Sequence, residues 1–201
     1  MQVIQNDSFG ILAFETEDIL GKIINRVEHG NVTHVAFTYF AEETESTIQK
    51  DETGQTLGGP QIHTLAWRLT HNIPPNTKVW HCLFTNEFDS QLNWNAAFSL
   101  LKSKVGPDKY NKLELVTHLL DGVPIIGSLH EAHYDPNQEV CCEYCLEILM
   151  AAGASTILKD KMVLPYNSTP KQLMSLPIYK SCVQLIGDPG TIEGLTITPH
   201  A

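Results

Sequence analysis

The arrangement of apolar and polar residues predicts a chain that begins and ends with β-strands and has helices between them. The strand segments are short and rich in β-branched and aromatic residues, which suit the half-buried surface of a sheet. They cover residues 9–14, 31–40, 45–49, 60–65, 79–85, 162–164 and 182–186. Residues 51–59 are rich in turn-forming types and predict a connection between two strands.

Four other segments repeat apolar residues at intervals of three and four, which predicts helices. They cover residues 18–27, 90–105, 112–120 and 140–152, with a loop over 121–139. Gly106 and Pro107 end the second helix, and Gly153 stands at the C-terminal cap of the last. No linker or internal repeat divides the chain, so we expect one α+β domain over residues 1–201.

Composition narrows the class of protein. With 201 residues, 42% hydrophobic and 18% charged, the chain is typical of a globular domain with a real core. A formal charge of −10 disfavours phosphate backbones, so no nucleic-acid partner is expected. No apolar run reaches the roughly 20 residues that cross a bilayer, and the first residues lack a signal-peptide pattern.

The cysteines indicate a reducing compartment. They are odd in number and three of them are clustered, which argues against a disulfide framework. The five stand at positions 82, 141, 142, 145 and 182. We therefore expect free thiols and a cytoplasmic location.

The helix over residues 140–152 carries the strongest chemical signal. Cys141 falls in its first turn, where backbone N–H groups have no partner within the helix and the helix dipole is positive. That position favours the thiolate, which is the nucleophilic form of cysteine. The alternative is that Cys141, Cys142 and Cys145 are small core residues, because free cysteine is frequently buried.

A thiolate enzyme also needs a base, and His34 is the candidate. It stands at the start of an apolar strand, and a rigid strand can hold an imidazole at a fixed angle to the sulfur. The alternative is a partly buried, hydrogen-bonded histidine with a structural role.

Five segments together resemble one known family, in the order that this family has them. The two most informative are Thr33-His34-Val35-Ala36 and Cys141-Cys142-Glu143-Tyr144-Cys145, the latter followed by Ala152-Gly153. Weaker matches lie at residues 10–14, 96–110 and 169–177. From about residue 9 to about residue 178, the chain resembles the circularly permuted papain-fold cysteine hydrolases of the YiiX/YaeF type, in the NlpC superfamily.

The resemblance implies a permuted papain-like fold, an antiparallel sheet or small barrel packed against helices. It implies Cys141 as nucleophile, His34 as general base and an oxyanion hole at the helix start near Cys142. A third residue would orient the histidine. Glu45 matches the family best, and Glu43 and Gln49 are rivals because the hairpin register is open.

The resemblance also implies an activity, without a cofactor. Relatives cleave peptide bonds in cell-wall peptides, act on lipid amides and esters, or transfer acyl chains. We therefore expect a hydrolase or acyl transferase that attacks an amide, ester or thioester carbonyl and forms an acyl-enzyme. The sequence leaves the oligomeric state and the individual substrate open.

Two departures from the family pattern leave alternatives open. Ile11 stands where the family usually has aspartate, and Cys142 replaces a common serine, so Cys142 is a second candidate nucleophile. His130, His133 and Tyr144 are candidates for lining a substrate cleft.

Two other classes of protein compete with the enzyme. The first is a catalytically inactive binding module of the same fold, in which Cys141 and His34 are not aligned. The second is a structural zinc site at Cys142 and Cys145. Its further ligands would come from His81, Cys82, His130 or His133.

Overall fold

The computed structural model of the chain describes residues 9–16, 32–50, 56–71, 73–105, 141–161 and 168–187. Its β-strands are β1 (Gly10–Glu15), β2 (His34–Tyr39), β3 (Glu42–Lys50), β4 (Thr56–Thr64), β5 (Lys78–Phe84) and β6 (Tyr179–Ile186). They form one open antiparallel sheet in the order β4-β3-β2-β1-β5-β6. The expected class, an α+β fold with an antiparallel sheet, is confirmed.

The helices of the described residues are mostly short. They are α1 (Leu65–Arg68), α2 (Asn86–Ser90), α3 (Trp94–Lys104), α4 (Cys141–Ala151), α5 (Ala154–Leu158) and α6 (Pro170–Met174), with a 3-10 turn at Lys159–Lys161. Helix α4 packs against β2 and β3 and is almost entirely buried, which explains why its sequence is apolar on most sides. It ends as predicted, with Gly153 in the left-handed region at φ 94°.

The hairpin between β2 and β3 sets the geometry of the candidate site. Its loop is Phe40 and Ala41, and Phe40 takes a left-handed conformation with φ 51°. Pairing between the strands runs from Tyr39↔Glu42 to Phe37↔Thr44. Alternation along β3 then sends the side chains of Glu43 and Glu45 to one face of the sheet.

Two of the element boundaries that differ from the sequence predictions have a clear physical reason. Strand β4 already begins at Thr56, inside the predicted turn, because residues 56–59 pair with the end of β3. The helix predicted from residue 90 to residue 105 begins later, at Trp94, since the Asn93 side chain accepts a hydrogen bond from the Ala96 N–H and caps α3; Ser90 instead ends the separate helix α2. The elements predicted over residues 18–27, 112–120, 121–139 and 162–164 lie outside the described residues.

The prediction that the cysteines are unpaired is wrong for two of them. Cys82 of β5 and Cys182 of β6 are directly opposed in the sheet and form a disulfide. They are separated by 100 residues, so their pairing follows from the strand register and not from the cysteine spacing. Cys141, Cys142 and Cys145 are free and buried.

Candidate active site

Cys141 is the first residue of α4, at the point where this helix meets the start of β2. Its side chain is almost completely buried, with 6% of the residue exposed. Its sulfur is hydrogen bonded to the His34 ring, to the backbone N–H of Val35 and to the thiol of Cys142. Three donors and the positive end of a helix therefore surround one sulfur, and all of them favour the thiolate.

The His34 imidazole bridges Cys141 and Glu45. Its Nε2 atom lies 2.5 Å from Oε2 of Glu45, which leaves Nδ1 for the sulfur of Cys141. The ring of Phe14 packs beside it with ring centroids 5.4 Å apart. The arrangement Cys–His–carboxylate is thus present, with the histidine held from both sides.

Glu45 is completely buried and is held by Arg68 of α1. The guanidinium donates from Nε to Oε1 at 2.6 Å and from Nη2 to Oε2 at 3.2 Å. Glu43, the nearest rival from the sequence, instead accepts from Nδ1 of His63 at 2.8 Å. The hairpin register therefore brings Glu45 to His34, and Glu43 to a second histidine. The side chain of Gln49 lies outside the described residues.

The electrostatics of these groups favour a thiolate–imidazolium pair. The hydrogen bond from Cys142 and the nearby His34 lower the pKa of Cys141 well below its ordinary value, although burial opposes this. Burial alone would lower the pKa of His34, but the charges of Cys141 and Glu45 raise it to about 10. Burial would raise the pKa of Glu45, but Arg68 and then His34 lower it to about 2.

Cys142 differs from its neighbour. Its thiol has one proton and two acceptors: it donates to the carbonyl oxygen of Ser168 at 3.0 Å and also faces the sulfur of Cys141. The hydrogen bond to Cys141, burial and the negative charge on Cys141 raise its pKa well above the ordinary value. The Cys142 thiol therefore keeps its proton and can donate it. This geometry favours Cys141 over Cys142 as the nucleophile.

The expected cleft residues are placed differently. Tyr144 is fully buried, and its hydroxyl lies 2.9 Å from that of Thr44 in β3. The expectation that it lines a substrate cleft is therefore wrong, because its side chain belongs to the contact between α4 and the sheet. His130 and His133 lie outside the described residues.

Within the described part of the chain, neither His81 nor Cys82 is available to complete a zinc site at Cys142 and Cys145. Cys82 is in a disulfide, and the buried His81 ring is hydrogen bonded to Thr38 at 2.9 Å. Burial lowers the pKa of His81 to about 4.

One other group in the described part of the chain has the composition of a metal site. Ligand atoms of Glu43, Glu45 and His63 lie within 4.8 Å of one another. Both oxygens of Glu45 already accept hydrogen bonds from the cationic side chains of Arg68 and His34, which would repel a metal ion.

Sequence reasoning missed three contributors to this site: Arg68, the Val35 N–H and the Glu43–His63 pair. Arg68 lies in a segment without apolar periodicity, in a one-turn helix capped by the Thr64 hydroxyl. The one signal available was an isolated arginine shortly after a strand that pairs with β3.

Comparisons with known proteins do not assign the chain to a family. No family model matches the chain, and no curated protein matches its sequence. None of the helices in the described ranges combines the length and apolar character of a membrane span. The case for a function therefore rests on the geometry of the site.

Proposed function

We propose that this protein is a cysteine hydrolase or acyl transferase with a permuted papain-like fold. The observation that carries the proposal is the His34 ring, hydrogen bonded to Cys141 on one side and to Glu45 on the other. The fold class is consistent with it, since a helix beginning at the cysteine packs on an antiparallel sheet whose strand β2 carries the histidine. The chain order, histidine before cysteine, is the permuted one.

In the proposed mechanism, the Cys141 thiolate attacks the carbonyl carbon of an amide, ester or thioester. Backbone N–H groups at the start of α4, near Cys141 and Cys142, stabilise the negative charge that develops on the carbonyl oxygen. The His34 imidazolium gives its Nδ1 proton to the leaving group, and the acyl group stays on sulfur. Neutral His34 then takes a proton from water or another acceptor, which attacks the thioester and releases the acyl group.

The substrate class follows from the resemblance alone. Cell-wall peptides, lipid amides or esters and acyl chains are all candidates. The cytoplasmic location is likewise a proposal, and the Cys82–Cys182 disulfide weighs against it because disulfides persist mainly in oxidising compartments.

The first prediction concerns covalent labelling of Cys141 by a thiol-directed acyl probe. The wild-type protein should label at Cys141, Cys141→Ala should not, and His34→Ala should label about 100-fold more slowly because the base is lost. Labelling rates measured by mass spectrometry of the modified peptide test this.

Cys145→Ala is the matched control, since it removes a buried thiol from the same helix and should label like the wild type. Equal labelling of wild type and Cys141→Ala would contradict the proposal. A folded wild-type protein that never labels would instead favour the inactive binding module.

A further inference from the structure

Arg68 is a buried cation next to the candidate active site that no motif in the sequence identified. It is the last residue of α1, the single helical turn that follows β4, and 5% of it is exposed. Burial of an arginine is costly unless its donors are satisfied, so its partners are informative.

The contacts of Arg68 fix it on three sides. Two of its nitrogens bind the two oxygens of Glu45, at 2.6 and 3.2 Å. Its Nη1 atom donates to the backbone oxygen of His71 at 3.3 Å, and its guanidinium lies 4.6 Å above the Phe14 ring. A two-point contact of this kind fixes the plane of a carboxylate as well as its position.

The orientation of Glu45 matters because Oε2, the oxygen that binds Arg68 Nη2, also accepts from His34 Nε2. A carboxylate that rotated would no longer face that nitrogen. Phe14 adds a second constraint, because its ring packs against both the guanidinium and the His34 imidazole.

Other charged groups also face Glu45. His34 of β2 is a cation only while protonated, and Cys141 of α4 lies beyond it. Glu43 of β3 is a second buried carboxyl group: burial and the charge of Glu45 raise its pKa well above the ordinary value, and its Oε2 atom has no hydrogen-bond partner among the described residues. His63 of β4 binds Glu43. Arg68 differs from the histidines because it stays charged at every accessible pH.

We propose that Arg68 is a positioning residue of the candidate active site, which holds the Glu45 carboxylate in the orientation that directs the His34 ring toward Cys141. This inference rests on the proposed function. It implies that Arg68 also keeps Glu45 ionised beside Glu43, and so maintains the thiolate of Cys141 at acidic pH.

The test is the pH dependence of alkylation of Cys141 by iodoacetamide, which reacts with the thiolate. Alkylation of the wild type should persist to acidic pH. Arg68→Met should move the acid limb of the profile to higher pH by about one unit, because Glu45 then takes up a proton more readily and the charge beside His34 is lost.

Two variants separate positioning from a general structural defect. Arg68→Lys keeps the charge but offers no planar fork, and should give an intermediate profile. Lys104→Met, which breaks an ion pair with Glu147 two turns along α4 from Cys141, should leave the profile unchanged.

The outcomes distinguish this inference from the proposed function. A wild-type limb near the ordinary pKa of cysteine would contradict the thiolate pair itself. If alkylation of the wild type persists to acidic pH as expected, but a folded Arg68→Met variant has the same acid limb, the role of Arg68 alone is overturned. If Arg68→Met does not fold, an Arg68→Lys profile identical to that of the wild type overturns the two-point positioning.

Discussion

Cys141 and Cys142 are adjacent residues of one helix with pKa shifts of opposite sign. The cause is their shared hydrogen bond, since a thiol that donates to a thiolate stabilises the charge on its neighbour and loses the tendency to ionise itself. His34 and the Val35 N–H act on Cys141 in addition. Local contacts therefore distinguish Cys141 from Cys142, which the sequence had left open as a second candidate nucleophile.

A pair of substitutions at Cys142 tests this interpretation. Cys142→Ser keeps a donor and should leave labelling of Cys141 by the acyl probe within about threefold of the wild type. Cys142→Ala removes the donor, so the pKa of Cys141 rises, and labelling at pH values below the shifted pKa should slow about tenfold for a shift of one unit. Labelling rates followed from acid to neutral pH measure both effects.

The two variants should converge with the wild type at pH values well above the shifted pKa, which serves as the internal control. Loss of all labelling in a folded Cys142→Ser variant would contradict the assignment and make Cys142 the nucleophile.

Strand β3 carries two glutamate side chains on one face, and each is hydrogen bonded to a different histidine. Glu45 binds His34, and Glu43 binds His63. Between them, the Thr44 hydroxyl donates to the Gln61 carbonyl and so accepts from Tyr144 of α4. One strand therefore orients the histidine with one face and attaches the cysteine helix with the other.

Tyr144→Phe tests the structural role given to this helix contact. The substitution removes one buried hydrogen bond without leaving a large cavity, so the free energy of unfolding should fall by about 1 kcal/mol. Urea unfolding measures this change, and the rate at which the acyl probe labels Cys141 should stay the same.

Tyr179→Phe is a matched control, because it removes a hydroxyl that donates to the Leu173 carbonyl away from the α4–β3 contact. A tenfold loss of labelling in a folded Tyr144→Phe variant would contradict this structural role and support the expectation that Tyr144 lines the substrate cleft.

For the molecule as a whole, the buried ionisable groups set how stability depends on pH. Between about pH 6.5 and 9 the unfolded chain has neutral His34 and a Cys141 thiol, whereas the folded chain has the imidazolium and the thiolate. The folded and the unfolded state each bind one proton at this pair, so the pair does not make stability depend on pH in this range. Above pH 9 the folded state alone keeps the His34 proton, so stability falls as pH rises toward about 10.

Below pH 6.5 the sign reverses. The unfolded chain protonates His34 while keeping the Cys141 thiol, and it also protonates His81, whose folded pKa is about 4. Glu45 adds to this between pH 4.5 and about 2, whereas the buried Glu43, whose pKa is raised by burial and by Glu45, opposes it above pH 4.5. Stability should therefore form a plateau from about pH 6.5 to 9 and decline on both sides, as measured by urea unfolding.

His34→Ala is the control for the alkaline side and should make the decline between pH 9 and 10 shallower, since it removes the imidazolium. The thiols of Cys142 and Cys145, whose pKa values are also raised in the folded state, still contribute to the decline. An unfolding free energy of the wild type that rises steadily through this range would contradict the thiolate–imidazolium pair.

Several features of this protein were predicted correctly from the local sequence alone. Strands β1, β2 and β5 and helix α4 were predicted near their observed positions, because burial imposes a local periodicity on each of them. The placement of Cys141 at a helix start and the glycine that ends this helix are also local, since both follow from backbone conformation within a few residues.

Beyond the set of His34, Cys141 and Glu45 that the resemblance implied, the tertiary structure decided which distant residues meet. The hairpin register chose Glu45 over Glu43, the pairing of β5 with β6 joined Cys82 to Cys182, and a one-turn helix brought Arg68 to Glu45. Such contacts leave no periodic trace in the sequence, because a one-residue shift between strands changes every partner without changing the pattern of either strand.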